Sequence, residues 1–212
     1  MSERNTLVVQ ISRGLAVASA IAQACRVAAA RGWSYELIDC KPMVEAKELA
    51  VDAAMALGHD LVLVEDDIYL PDQQWPWLVE NVVQAVSAYN PGTTPPTANF
   101  ELRTIRGREG RSIPWIFSDK PTALWIGTCL MYVPLPVLHK LPRPCFEARK
   151  MHVDMSNHSL KMGGPRDDGR GSDVFFCWRL QEAGIPIRIV AHASVYDHPL
   201  RGTGPTTIES IP

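Results

Sequence analysis

The chain has 212 residues, 21 Lys and Arg against 23 Asp and Glu, and a formal net charge of -2. Its hydrophobic fraction of 46% and charged fraction of 21% are those of an ordinary globular protein, and the length predicts one domain with a sizeable core. The near-neutral balance argues against a nucleic-acid partner, which would call for a basic face or tail; no apolar run reaches the roughly 18–20 residues of a membrane span; and the N-terminus has no apolar signal core, so a cytoplasmic location is expected.

The first predicted element is TLVVQI, a β-branched run that reads as a buried strand, followed by a turn at Ser12-Arg13-Gly14. An alanine-rich helix is predicted from Ala16 to Ala30, closing at Arg31-Gly32, and YELID (Tyr35 to Asp39) forms a second strand. Val44 to Leu57 then predicts a helix that stops before Gly58. LVLV (Leu61 to Val64) is a short apolar run of the kind found in a central strand covered on both faces. Strand, helix, strand, helix, strand is the order of an open α/β sheet.

Pro71-Asp72 starts a predicted helix running through Val79, Val82, Val83 and Val86. NPGTTPPT (Asn90 to Thr97) is a loop by composition, and Phe100 to Phe117 reads as a hairpin with the charged tip RGREGR. ALWIGTCLMYV precedes a short helix from Pro134 to Leu141. The glycine-rich stretch Met162 to Gly171 predicts a mobile lid. Asp173 opens the helix DVFFCWRLQEAG, PIRIV forms a late strand, and ASVY leads to Asp197-His198. The five cysteines are scattered without a C-x-x-C pair, which points to reduced thiols rather than a disulfide framework or zinc site.

Three features carry chemistry. Glu65, Asp66 and Asp67 follow a buried strand directly. Three adjacent carboxylates repel one another, so the triplet is either a solvated turn, with Asp72 capping the next helix, or it is neutralised by a cation. Ligands in open α/β sheets sit outside the carboxyl ends of strands, and oxygen donors suit a hard ion such as Mg²⁺ or Mn²⁺. Asp173, after a glycine-rich loop, is either a helix cap or a carboxylate facing a cleft, where it can act as general base. His192 and His198 follow the last long strand; each is a surface or core histidine unless brought beside the triplet.

In order, LVLVEDDI, ALWIGTCLMYVPLPVLHKL, GSDVFFCWRLQEAGIPI and ASVYDH resemble the signature segments of glycosyltransferases of the A-type fold, especially family-2-like ones. The resemblance spans Thr6 to His198. It implies a Rossmann-like open mixed β-sheet flanked by helices in a single domain: a nucleotide-sugar half at about residues 1–90, an acceptor and catalytic half at about 91–200 and a tail at 201–212. It further implies metal-dependent, inverting transfer from a nucleotide-diphosphate sugar (UDP- or GDP-linked) to a hydroxyl acceptor such as a glycan, with Mn²⁺ or Mg²⁺ as cofactor. By resemblance Asp67 and His198 would bind the metal. Ser12, Arg13, Lys47, Glu65 and Asp66 would contact the nucleotide, Asp173 would be the catalytic base, and Trp125, Gly127 and Thr128 would line the acceptor side. The chain departs from the family pattern with Glu65 for Asp, Ser172 for Glu and Cys129 for Gly. The competing readings are a nucleotidyltransferase, for which Ser12-Arg13-Gly14 is a poor phosphate loop, and a non-catalytic nucleotide-sugar or glycan-binding module.

Overall fold

The structure is a computed structural model that describes residues 5–12, 18–39, 41–66, 68–69, 83–86, 89–90, 97–98, 122–123, 130–154, 159–165, 171–190 and 195–196. The amino-terminal third follows the predicted alternation. Strand β1 (Thr6–Ser12) is followed by helix α1 (Ala18–Ala30), β2 (Ser34–Asp39), α2 (Met43–Leu57) and β3 (Asp60–Glu65). Short strands β4 (Ile68–Tyr69), β5 (Val83–Val86), β6 (Tyr89–Asn90), β7 (Thr97–Ala98) and β8 (Thr122–Ala123) come next. The chain continues through β9 (Leu130–Val133), α3 (Leu135–Leu138), β10 (Arg149–Asp154), β11 (Ser159–Pro165), α4 (Ser172–Glu182), β12 (Ile187–Val190) and β13 (Val195–Tyr196).

Seven strands form one sheet in the order β2-β1-β3-β9-β5-β12-β8. Strand β1 runs parallel to both β2 and β3, β9 lies antiparallel between β3 and β5, and β12 pairs parallel with β5 and antiparallel with β8. The sheet is therefore mixed, as expected for this α/β class. No described helix is long and apolar enough to cross a membrane.

Side chains alternate across a strand, and here both sets are covered. Val8, Val62, Val64, Leu130 and Tyr132 pack with Ala24, Val27 and Ala28 of α1. Leu7, Val9, Ile11, Leu61, Leu63, Met131 and Val133 pack with Ala46, Ala50, Val51 and Ala54 of α2, and with Phe176, Cys177 and Leu180 of α4. The result is three layers. In α2 the buried residues recur at the three- and four-residue spacing of one helix face, and small alanines let that face sit close to the sheet. Each fully buried Val, Leu or Phe contributes about 1.5–3 kcal/mol relative to an exposed one.

Two buried polar groups fix the strands further. Asp60 is 1% exposed. Its carboxylate accepts hydrogen bonds from the Tyr132 hydroxyl at 2.8 Å and the Leu135 backbone N–H at 2.7 Å, tying the start of β3 to β9 and α3. Gln10, buried in β1, accepts from the Tyr35 hydroxyl at 2.8 Å and so fastens β2 to β1. Burial first, and then the hydrogen bond with Cys25, push the Tyr35 phenol well above its ordinary range, so it stays a neutral donor.

Two predicted elements differ. Val83–Val86, expected at the end of a helix, is strand β5. The valine spacing suits a helix face, but pairing with both β9 and β12 puts Val83 at 0% exposure inside the sheet. The expected lid from Met162 begins as strand: residues 162–165 belong to β11, antiparallel to β10. Its glycine has a steric reason, since a Cβ on Gly163 would lie 2.6 Å from the Lys150 carbonyl oxygen and 3.0 Å from the His152 ring. The Gln181 carboxamide of α4 grips the backbone of Leu160 at both ends, accepting from its N–H at 2.7 Å and donating to its carbonyl at 3.2 Å. The remainder of the expected lid, 166–170, the body of the Pro71 helix and the Phe100–Phe117 hairpin lie outside the described residues.

Candidate functional site

The sheet topology creates a crevice before any side chain is considered. From β1 the chain passes through α1 to β2 on one side, whereas β3 lies on the other side and leads on to the rest of the sheet. Connections that depart in opposite directions leave a gap outside the carboxyl ends of the two strands, the usual ligand position in this architecture.

Ser12, Glu65 and Asp66 stand at that gap. Ile11 pairs with Glu65, and the Asp66 N–H donates to the Ile11 carbonyl at 3.1 Å, so Ser12 and Asp66 extend two adjacent, parallel strands. Ser12 is 1% and Asp66 3% exposed, while Glu65 is half-buried. A buried carboxylate is stable where hydrogen bonds or cations compensate its lost hydration.

The late strand returns to the same place. Strand β13 pairs antiparallel with β4, Tyr196 opposite Ile68 and Val195 opposite Tyr69. The chain entering Asp197-His198 thus runs beside the chain that has just left Glu65-Asp66-Asp67. Asp67 and His198 themselves, with Arg13, Trp125, Gly127 and Thr128, lie outside the described residues. Among the described residues no group of three or more His, Cys, Asp or Glu is arranged to hold a metal ion. The expected donors are the Asp67 carboxylate and the His198 imidazole; the carboxylate oxygens of the triplet suit a hard divalent cation by their chemistry.

Asp173 lies in the first turn of α4, as its sequence position implied. The N-cap position itself is taken by Gly171, at φ 85°. A Cβ on Gly171 would lie 2.3 Å from the Arg149 carbonyl oxygen, so this helix start sits directly against the β10 backbone. Asp173 Oδ1 is ion-paired with Lys47 Nζ of α2. The two residues are 126 positions apart, and no local pattern in either segment announces their meeting. Lys47, grouped with the nucleotide contacts in the sequence reading, is 2% exposed, and its ammonium lies 5.7 Å from the centroid of the Phe146 ring.

Around this pair is a set of contacts that sequence reasoning missed. Phe146 stacks on Phe176 of α4, with centroids 4.6 Å apart and planes at 11°. Glu48, next to Lys47, accepts from the Phe146 N–H at 2.5 Å and pairs with Arg143 at 2.8 Å. Cys145, adjacent to Phe146, is fully buried; burial, and then the Glu48 charge, push its thiol up to about 11. It is an inert packing thiol rather than a nucleophile.

No protein-family model matches the chain, and no curated protein matches it significantly. Among solved structures it is similar to A197 from STIV, a crystal structure 14% identical in sequence, with a TM-score of 0.54 over 91% of this chain and 85% of that one. A likeness so remote in sequence shows a shared fold.

Proposed function

We propose that this chain is a metal-dependent glycosyltransferase that moves a sugar from a nucleotide-diphosphate sugar to a hydroxyl acceptor with inversion, on an A-type glycosyltransferase fold. The observation that carries the reading is the convergence of chain segments at one crevice. The carboxyl ends of β1 and β3 bring Ser12 beside Glu65 and Asp66, and β13 (Val195–Tyr196), two residues before His198, pairs with β4 (Ile68–Tyr69), which follows the triplet in sequence. The four signature segments of the sequence resemblance and the fold likeness support the same reading.

In this reading Ser12 and Arg13 receive the nucleotide base, Glu65 and Asp66 face the ribose, and Asp67 with His198 holds Mn²⁺ or Mg²⁺. When bound, the ion supplies positive charge against the departing diphosphate. The chain's own part is to orient the reactants and accept a proton. The acceptor oxygen forms a bond to the anomeric carbon as the bond from that carbon to the phosphate oxygen breaks. Asp173 takes the hydroxyl proton, and the nucleoside diphosphate leaves with the bonding pair. Trp125, Gly127 and Thr128 line the acceptor side.

The test is release of nucleoside diphosphate from a panel of UDP- and GDP-sugars, with Mn²⁺ and a set of glycan acceptors. Turnover that depends on both metal and acceptor is expected. Donor binding without turnover on any acceptor would replace the transferase with a binding module. Asp67→Ala should abolish Mn²⁺-dependent donor binding; unchanged affinity would refute the metal assignment.

A further inference from the structure

Lys47 has almost no surface left with which to meet a ligand. Its side chain is 2% exposed, in the second turn of α2, with Phe146 over its ammonium and Asp173 as its ion-pair partner. An ammonium withdrawn from water is tolerated only where a counter-charge and good geometry repay the lost hydration. The surrounding contacts supply that geometry. Glu48 anchors the same turn of α2 to the Phe146 N–H and to Arg143. Phe146 also stacks on Phe176. Asp173 and Phe176 are three residues apart on α4, hence neighbours on one helix face. The stacked rings therefore turn the Asp173 face of α4 toward Lys47, and the Gly171 contact with β10 sets where the helix begins.

The asymmetry of the pair matters. Lys47 is enclosed, while 30% of the Asp173 side chain stays exposed. The lysine acts from within, and the carboxylate is the member that can reach a ligand. A partner fixed in the interior restricts the rotamers of the carboxylate it pairs with.

We infer that Lys47 is a positioning residue that holds the Asp173 side chain in one orientation, and that it does not contact the donor. The catalytic half of this inference rests on the transferase reading; the pair itself does not. Two measurements on the full chain separate them. In a thermal-unfolding cycle of Lys47→Met, Asp173→Asn and the double variant, Asp173→Asn takes the carboxylate counter-charge away from a buried ammonium. The double variant is therefore expected to melt at a higher temperature than Asp173→Asn alone. Strictly additive losses would overturn the inference. In donor and acceptor kinetics, Lys47→Met should lower kcat by roughly tenfold or more while the donor Kd, measured without acceptor, stays within about twofold. A donor Kd raised tenfold at unchanged kcat would assign Lys47 to the nucleotide and overturn it equally. If the unaltered chain turns over no donor at all, the transferase reading fails, and the unfolding cycle still decides whether Lys47 fixes Asp173.

Discussion

Replacing Gly171 with alanine tests whether the start of α4 is set by a close backbone approach. Two costs are readable from the geometry. The first is conformational: at φ 85° an L-residue with a Cβ pays about 1–2 kcal/mol, offset by about 0.4–1 kcal/mol because alanine loses less freedom than glycine on folding. The second is steric. The new Cβ would meet the Arg149 carbonyl oxygen at 2.3 Å, a separation no real pair tolerates, so α4 or β10 must shift. Overpacking of this kind costs about 1–3 kcal/mol, and the sum is about 1–5 kcal/mol. Two glycines in the same protein separate the contributions. Gly184 has φ 66° with nothing within 4 Å of its would-be Cβ, so Gly184→Ala should show only the conformational part, about 1 kcal/mol. Gly164 also has open space and no positive φ, so Gly164→Ala should be neutral or slightly stabilising. Urea unfolding of the three variants, read as midpoints at constant slope, makes the comparison. If Gly171→Ala lost no more than Gly184→Ala, the close approach to Arg149 would not be constraining the helix.

Two further predictions concern the scaffold beneath the crevice. Asp60→Ala should cost about 2–6 kcal/mol by urea unfolding, because it removes the acceptor used by the Tyr132 hydroxyl and the Leu135 N–H, at about 1–3 kcal/mol each; Asp60→Asn, which keeps one acceptor oxygen, should recover part of the loss. Cys145 should resist alkylation in the native protein at pH 8 and react once unfolded, as tracked by peptide mass spectrometry. Its folded-state pKa is raised from 9.0 to about 11, so its contribution to stability should be complete below pH 9 and be lost as pH rises through about 11. A Cys145→Ser variant with the same alkaline unfolding profile would remove the thiol from that account.

The local character of the amino-terminal third made it legible. β1 and β3 are short apolar runs because both faces of each are covered, and α2 shows its buried face as alanines at helical spacing. Their ends are marked by a glycine turn and by the acidic triplet, which is why the strand-end positions of Ser12, Glu65 and Asp66 are legible in the sequence. The same logic placed Asp173 at the start of α4. Where the outcome depended on partners, local pattern misled or was silent. Val83–Val86 has valines at positions that suit a helix, yet the two strands flanking it in the sheet make it β5. The β10–β11 hairpin mixes basic, apolar and glycine residues without a clean alternation, and is held by cross-strand pairing and by Gln181 of α4.

The sequence by itself determined the class of fold and the chemistry available at the strand ends, because hydrophobic period and strand-end carboxylates are properties of contiguous residues. Only the tertiary structure decided that Lys47 meets Asp173 across 126 positions, beneath a phenylalanine stacked on α4. The energy of an ion pair depends on distance and burial. Neither is set by residues close in sequence, and both are fixed once two helices pack on the same face of the sheet.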